Sequence, residues 1–298
     1  MWITLTAGAC FLLEFGLARL CYWITGIDSL VLFLVIWVLV DFFIWLFGES
    51  NKPEQTLSGE RPFWLTELAR KQVGYRLEME GKSINLERNY LFAVHPHHVM
   101  SLSTMLSFIW PSKDEELMLA LLKSPIPLVS DTILSIPFLG EFLKISGCRS
   151  ASEVNHLIGR NESVAVNPGG TREMGSNRHG EKKLLRIIKR TGFLKGAMEK
   201  GTPVVPVLVL GEENCYRHFH SMDWLHIYSK PLLDYPAPLL SGGKWFSFFP
   251  KKTDKVTALV GQPLEAAPGE TIEEFKQRYE NSLKSMAESR GYRVDFIE

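Results

Sequence analysis

Tyr90-Leu91-Phe92-Ala93-Val94 runs directly into His95-Pro96-His97-His98, and the reading of that stretch decides the fold. An apolar run that stops at a proline and three imidazoles reads as a buried strand with polar groups at its C-terminal tip. A second stretch of the same kind follows further along: Ser163-Val164-Ala165-Val166 delivers Asn167-Pro168-Gly169-Gly170-Thr171-Arg172-Glu173. In open α/β sheets, ligands bind at the carboxyl ends of strands. One tip supplies imidazoles, the other glycines, an arginine and a carboxylate, so the pair points to a catalytic cleft.

Working outward, apolar runs at 75–80, 90–94, 163–167, 204–210 and 256–260 read as strands. Helical patterns fall near 62–72, 100–109, 115–123, 151–160 and 191–200. Alternation of this kind predicts an α/β fold with a largely parallel sheet. The final helix is the best defined. Thr271 and Glu274 form a capping box, and Ile272, Phe275, Tyr279, Leu283 and Met286 share one apolar face. That face is expected to pack on the sheet and carry no chemistry.

The apolar residues are unevenly spread. Leu30 to Phe47 reads LVLFLVIWVLVDFFIWLF, broken only by Asp41, which is close to the length of a membrane span. Trp2 to Ile24 is also largely apolar but carries Glu14 and Arg19. A membrane-embedded helical hairpin over 1–50 is expected, joined by the polar, breaker-rich 49–60 to an α/β domain over 51–298. No basic n-region precedes the apolar stretch, as a cleavable signal peptide would require. Across the 298 residues, 33 Lys and Arg balance 33 Asp and Glu. No global field therefore recruits nucleic acid. Four scattered cysteines, at 10, 21, 148 and 215, form no Cys-x-x-Cys pair, and reduced, cytosol-facing thiols are expected. Lys244-Trp245-Phe246-Ser247-Phe248-Phe249-Pro250-Lys251-Lys252 reads equally as a lipid-interface segment or as a buried strand. The sequon Asn161-Glu162-Ser163 begins a strand of a domain placed in the cytosol, so Asn161 is expected to carry no glycan.

Histidine is among the few side chains that take up and return a proton near neutral pH. His95 and His97 in alternation also admit a metal-ligand reading, with His218 and His220 as further ligands. However, the run continues as His98-Val99-Met100, where metallohydrolases of the metallo-β-lactamase type have Asp-His. Gly169-Gly170 lets backbone approach a ligand closely, Arg172 offers a planar fork for phosphate or carboxylate, and Glu173 can orient an imidazole.

These residues resemble a known family. His95-Pro96-His97, followed by Val99-Met100-Ser101, resembles the His-Pro-His-Gly signature of the type-2 diacylglycerol acyltransferases and their monoacylglycerol and wax-alcohol relatives. Pro168-Gly169-Gly170-x-x-Glu173 resembles that family's Pro-Gly-Gly motif with its downstream glutamate. Lys189-Arg190-Thr191-Gly192-Phe193, Val205-Pro206-Val207 and Gly211-Glu212-x-Asn214-x-Tyr216 follow the family order. Arg149 sits where these enzymes and the wider glycerolipid acyltransferases carry a basic residue.

Two departures stand out. His98 replaces the family glycine. The acid that glycerolipid acyltransferases carry five positions beyond their histidine is absent, since Met100 and Leu102 occupy those places.

The resemblance implies a glycerolipid-acyltransferase-like fold, a mostly parallel sheet flanked by helices. It implies an enzyme of the endoplasmic reticulum membrane, facing the cytosol and extending to lipid droplets. That enzyme would move a fatty acyl group from acyl-CoA to a neutral-lipid hydroxyl, diacylglycerol first, with no resident cofactor. His97 is then the expected general base, with His95 fixing the turn or sharing the role, and Glu173 holding the imidazole. Pro96, His98, Arg149, Pro168, Gly169, Gly170 and Arg172 are the expected substrate-binding residues. Backbone donors near Gly169-Gly170 would meet the oxyanion, and Arg149 and Arg172 the CoA phosphates. Lys189 and Arg190 are weaker phosphate candidates, because a basic stretch on a helix more often faces solvent. A non-catalytic lipid-binding protein and a metal-dependent hydrolase are the alternatives.

Overall fold

A computed structural model describes residues 63–80, 85, 88–98, 101–109, 125–135, 139–170, 173, 183–218, 240–241, 250–253 and 255–297. The hairpin expected over 1–50, the helix near 115–123 and the aromatic stretch 244–249 lie outside the described residues. Among the described residues, no helix is long and apolar enough to cross a membrane.

The chain opens with α1 (Phe63–Val73), β1 (Tyr75–Met79) and β2 (Leu91–His95). A short α2 (Leu102–Thr104) follows and continues as a π-helical turn over Met105–Ile109. Next come β3 (Ile126–Val129), α3 (Asp131–Leu134), α4 (Leu139–Ile145), β4 (Arg149–Ser150), α5 (Val154–Gly159) and β5 (Val164–Val166). The second half contains β6 (Leu184–Ile188), α6 (Gly192–Lys200), β7 (Val204–Leu210), β8 (Arg217–His218), β9 (Leu240–Ser241), β10 (Val256–Val260), α7 (Ile272–Ser289) and β11 (Arg293–Ile297).

Seven strands form the main sheet in the order β1-β10-β7-β2-β5-β3-β4. From β7 to β4 every pairing is parallel. β10 runs antiparallel to β7, and β1 pairs parallel with β10. The sheet is thus mostly parallel, as the alternating pattern predicts. β6 and β11 make a separate parallel pair.

Strand residues alternate between two cores, because successive side chains point to opposite faces. Phe92 and Val94 of β2, with Val205, Val207 and Val209 of β7, pack with α1 and α2 on one face. Leu91 and Ala93, with Val204, Leu208 and Leu210, pack with α5, α6 and α7 on the other. Helices therefore cover both faces, which is why these strands are continuously apolar rather than alternating. The alternation carries on to the tip: His95 shares the parity of Leu91 and Ala93, so its imidazole emerges on the face held by α6 and α7.

Three of the longer strands, β3, β6 and β11, are absent from the sequence reading. Ile126-Pro127-Leu128-Val129 carries a proline that weakens a strand reading. In β6 and β11 charged residues interrupt short apolar runs, Arg186 in the first and Asp295 in the second. Spacing alone cannot separate such runs from helix.

Candidate active site

β2 and β5 are hydrogen-bonded neighbours, so the two tips read from the sequence come together at one edge of the sheet. At the first tip the His95–Pro96 peptide is cis. His95 and His98 are buried, at 1 % and 3 % exposure, and His97 is half-buried.

Glu173 is fully buried and joins three segments. Its Oε1 lies 2.8 Å from His95 Nδ1 and accepts the Ile188 N–H at 3.0 Å. Its Oε2 accepts the His97 N–H at 2.6 Å. The carboxylate thus orients the ring of His95, while from His97 it takes only the main chain. With Nδ1–H directed at Glu173, Nε2 of His95 carries the lone pair, a tautomer assigned from its partner. That Nε2 is buried and has no hydrogen-bond partner among the described residues.

Gly169 and Gly170 serve different needs. A Cβ at Gly169 would overlap the Cδ, Cγ and Oε1 of Glu173, so this glycine clears the path of the carboxylate. Gly170 has φ +53° and meets nothing, so its need is conformational. Its N–H donates to the Asn167 carbonyl at 3.2 Å, which occupies one of the donors expected to face an oxyanion. Asn167, absent from the sequence-derived site, ties the tips together. Its Nδ2 donates to the Val94 carbonyl at 3.3 Å, and its Oδ1 accepts from Thr104 Oγ1 at 3.1 Å.

His97 directs Nδ1 at the His98 carbonyl, 2.7 Å away. Burial holds its pKa below the ordinary value, partly offset by the charge of Glu173. Burial, and then His97, press His98 down to about 3, so it is a neutral side chain of the wall. On the other side of the turn, Glu212 accepts the N–H groups of Leu102 and Ser103 at 2.7 and 2.9 Å. It thereby holds the start of α2 just after the histidines. Burial raises its pKa.

Beside His95 lies a partly open pocket of about 250 Å3, solvent at its mouth included, between β6, α6 and α7. The rings of Phe193 and Tyr279 stand 6.5 and 6.1 Å from that of His95. Tyr279 comes from the face of α7 to which the sequence reading gave only packing. Lys189 and Arg190 line the same pocket and are exposed. They lie just past the end of β6 rather than on a helix, which makes them better phosphate candidates than the sequence indicates.

The structure brings His95, Pro96, His97, His98, Pro168, Gly169, Gly170 and Glu173 to one edge. Arg149 is exposed on β4, three strands from β2, or roughly 14 Å at ordinary strand spacing. It is therefore not gathered with the others. Arg172 and His220 lie outside the described residues. Among the described residues, no group of three or more His, Cys, Asp or Glu side chains is placed to hold a metal ion.

A buried His–carboxylate pair at the carboxyl edge of a mostly parallel sheet has the parts that base-assisted group transfer requires. Comparison with known proteins gives that class its family. The family model described as diacylglycerol acyltransferase matches residues 29–297, so the chain belongs to the diacylglycerol acyltransferase family and is an acyltransferase. It is 25% identical over 285 residues to diacylglycerol O-acyltransferase 2 of Dictyostelium discoideum, covering 87% of this chain and 84% of that one. It is 27% identical over 196 residues to human acyl-CoA wax alcohol acyltransferase 1, covering 62% and 58%. Among solved structures it is similar to the 1-acyl-sn-glycerophosphate acyltransferase PlsC of Thermotoga maritima. That match has a TM-score of 0.43 and 16% identity, and covers 95% of each chain.

Proposed function

We propose that this acyltransferase works at the endoplasmic reticulum membrane, with its site facing the cytosol, and moves a fatty acyl group from acyl-CoA to a neutral-lipid hydroxyl. Diacylglycerol is the leading acceptor and triacylglycerol the product. The observation that carries the reading is the contact between Glu173 and the ring of His95, which leaves a buried Nε2 ready to take a proton.

In this mechanism His95, rather than His97, is the general base. Nε2 removes the acceptor hydroxyl proton as the oxygen attacks the thioester carbonyl carbon. The carbonyl electrons move to its oxygen and return as the C–S bond breaks. The departing CoA sulfur takes the proton back from His95, leaving the ester and free CoA. Glu173 fixes the tautomer and stabilises the imidazolium, and base catalysis of this kind contributes about 100- to 10,000-fold. Lys189 and Arg190 would meet CoA phosphates. The relatives of this chain include enzymes named for wax alcohol as well as diacylglycerol, so the acceptor is best found without choosing it beforehand.

The test uses microsomes from cells lacking their own neutral-lipid acyltransferases, supplied with labelled acyl-CoA, with every labelled lipid resolved. Wild type should give a new labelled neutral lipid that His95→Ala does not. The absence of any product from well-expressed, membrane-located wild type would favour a non-catalytic lipid-binding role.

A further inference from the structure

We propose that the pocket between β6, α6 and α7 seats the hydroxyl of an alcohol, held between His95 Nε2 and the phenol of Tyr279. This rests on the acyl-transfer reading above and names the place and chemistry of its acceptor.

Two residues that line this pocket each carry a polar atom without a partner among the described residues, His95 its Nε2 and Tyr279 its hydroxyl oxygen. Both are buried, and their rings meet edge to face at 6.1 Å. Buried polar groups are ordinarily satisfied, and each one left empty calls for an explanation. Here the two are complementary. Nε2 is an acceptor, because the ring proton sits on Nδ1 opposite Glu173. Tyr279 is a donor, because burial and then the charge of Glu173 keep its proton in place. A group that donates to the first and accepts from the second would satisfy both.

A hydroxyl does both. A thioester carbonyl, a carboxylate or a phosphate only accepts, and would leave Nε2 unmet. Phe193, Leu194, Leu283 and Phe296 give the wall an apolar stretch, which suits the carbons beside a lipid hydroxyl, while Lys189, Arg190, Lys276 and Glu280 line it with charge. The pocket is open at its mouth, so a lipid would present its alcohol end there and leave its chains outside. When the hydroxyl proton passes to His95, the phenol keeps its own proton and holds the attacking oxygen in place. Holding a reactant in the geometry of attack removes part of the entropic barrier.

Tyr279→Phe removes only this donor, since the ring that packs on His95 and Phe193 is retained. With full-length protein in microsomes, the variant should lose about 100-fold in acyl transfer, mainly in kcat, with the KM for acyl-CoA unchanged. Transfer at the wild-type rate by Tyr279→Phe would overturn the assignment. So would an inactive Tyr279→Leu beside a fully active Tyr279→Phe, because only ring packing would then matter.

A second measurement needs no turnover: photolabelling with a long-chain alcohol carrying a diazirine, without acyl-CoA. Label should enter peptides of β6 and α7 in wild type and fall in Tyr279→Phe. Tyr279-dependent labelling of a protein that transfers no acyl group would keep the pocket and remove the acyl-transfer reading. Labelling elsewhere, or labelling indifferent to Tyr279, would remove the pocket assignment whatever the activity.

Discussion

Gly169 has room for a hydrogen and nothing larger, because the Glu173 side chain occupies the place of its Cβ. Gly169→Ala should therefore push the carboxylate off His95 and reduce transfer by about 100-fold or more. Activity close to wild type would show that Glu173 is not needed where it sits. The sequence made both residues visible and paired an acid with an imidazole, but it assigned Gly169 to ligand approach and Glu173 to His97. Strand parity explains the difference: His95 follows Leu91 and Ala93 onto the face where Glu173 lies, while His97 is past the strand and offers its N–H. His98 yields a pH prediction. Its folded pKa of about 3 lies below the unfolded value of about 6.5, so within that window it binds a proton only on unfolding. Stability should then fall as pH drops from about 6.5 toward 3, by up to about 1.4 kcal/mol per pH unit. Thermal unfolding followed across that range should show a shallower slope in His98→Asn. An unchanged slope would exclude His98 as its source.

Among the elements, α2 depends on a residue far away in sequence. Glu212, just beyond β7, accepts two N–H groups at the start of α2, where a local capping side chain is absent. Glu212→Ala would strand two buried donors, each costing about 1–3 kcal/mol, and the loss of a buried carboxylate returns part of that. A net destabilisation of about 2 kcal/mol is expected in chemical denaturation, with the histidine turn loosened and transfer reduced. Unchanged stability would show that α2 starts without this cap. Sequence spacing placed Glu212 in a motif without revealing its partner, since the two lie 110 positions apart. The capping box of α7, by contrast, is local and was fully legible: Thr271 accepts from the Glu274 N–H, and Glu274 from that of Thr271. Strands buried on both faces were legible as apolar runs, whereas β3, with its proline, and the mixed runs β6 and β11 were not.

For the whole molecule, the decisive feature is that β2 lies between β7 and β5, so motifs distant in sequence meet at one edge. The pairing of tips could be inferred from their shared strand-then-turn form. The contribution of α7 could not, because an apolar helical face looks the same whether it covers a sheet or walls a pocket. The account stands on His95 as the base that Glu173 orients, and the most direct test compares His95→Ala, His97→Ala and Glu173→Gln in the microsomal transfer assay. His95→Ala should abolish ester formation, Glu173→Gln should reduce it by about 100-fold or more, and His97→Ala should retain measurable transfer. Full activity in His95→Ala, or loss confined to His97→Ala, would contradict the account.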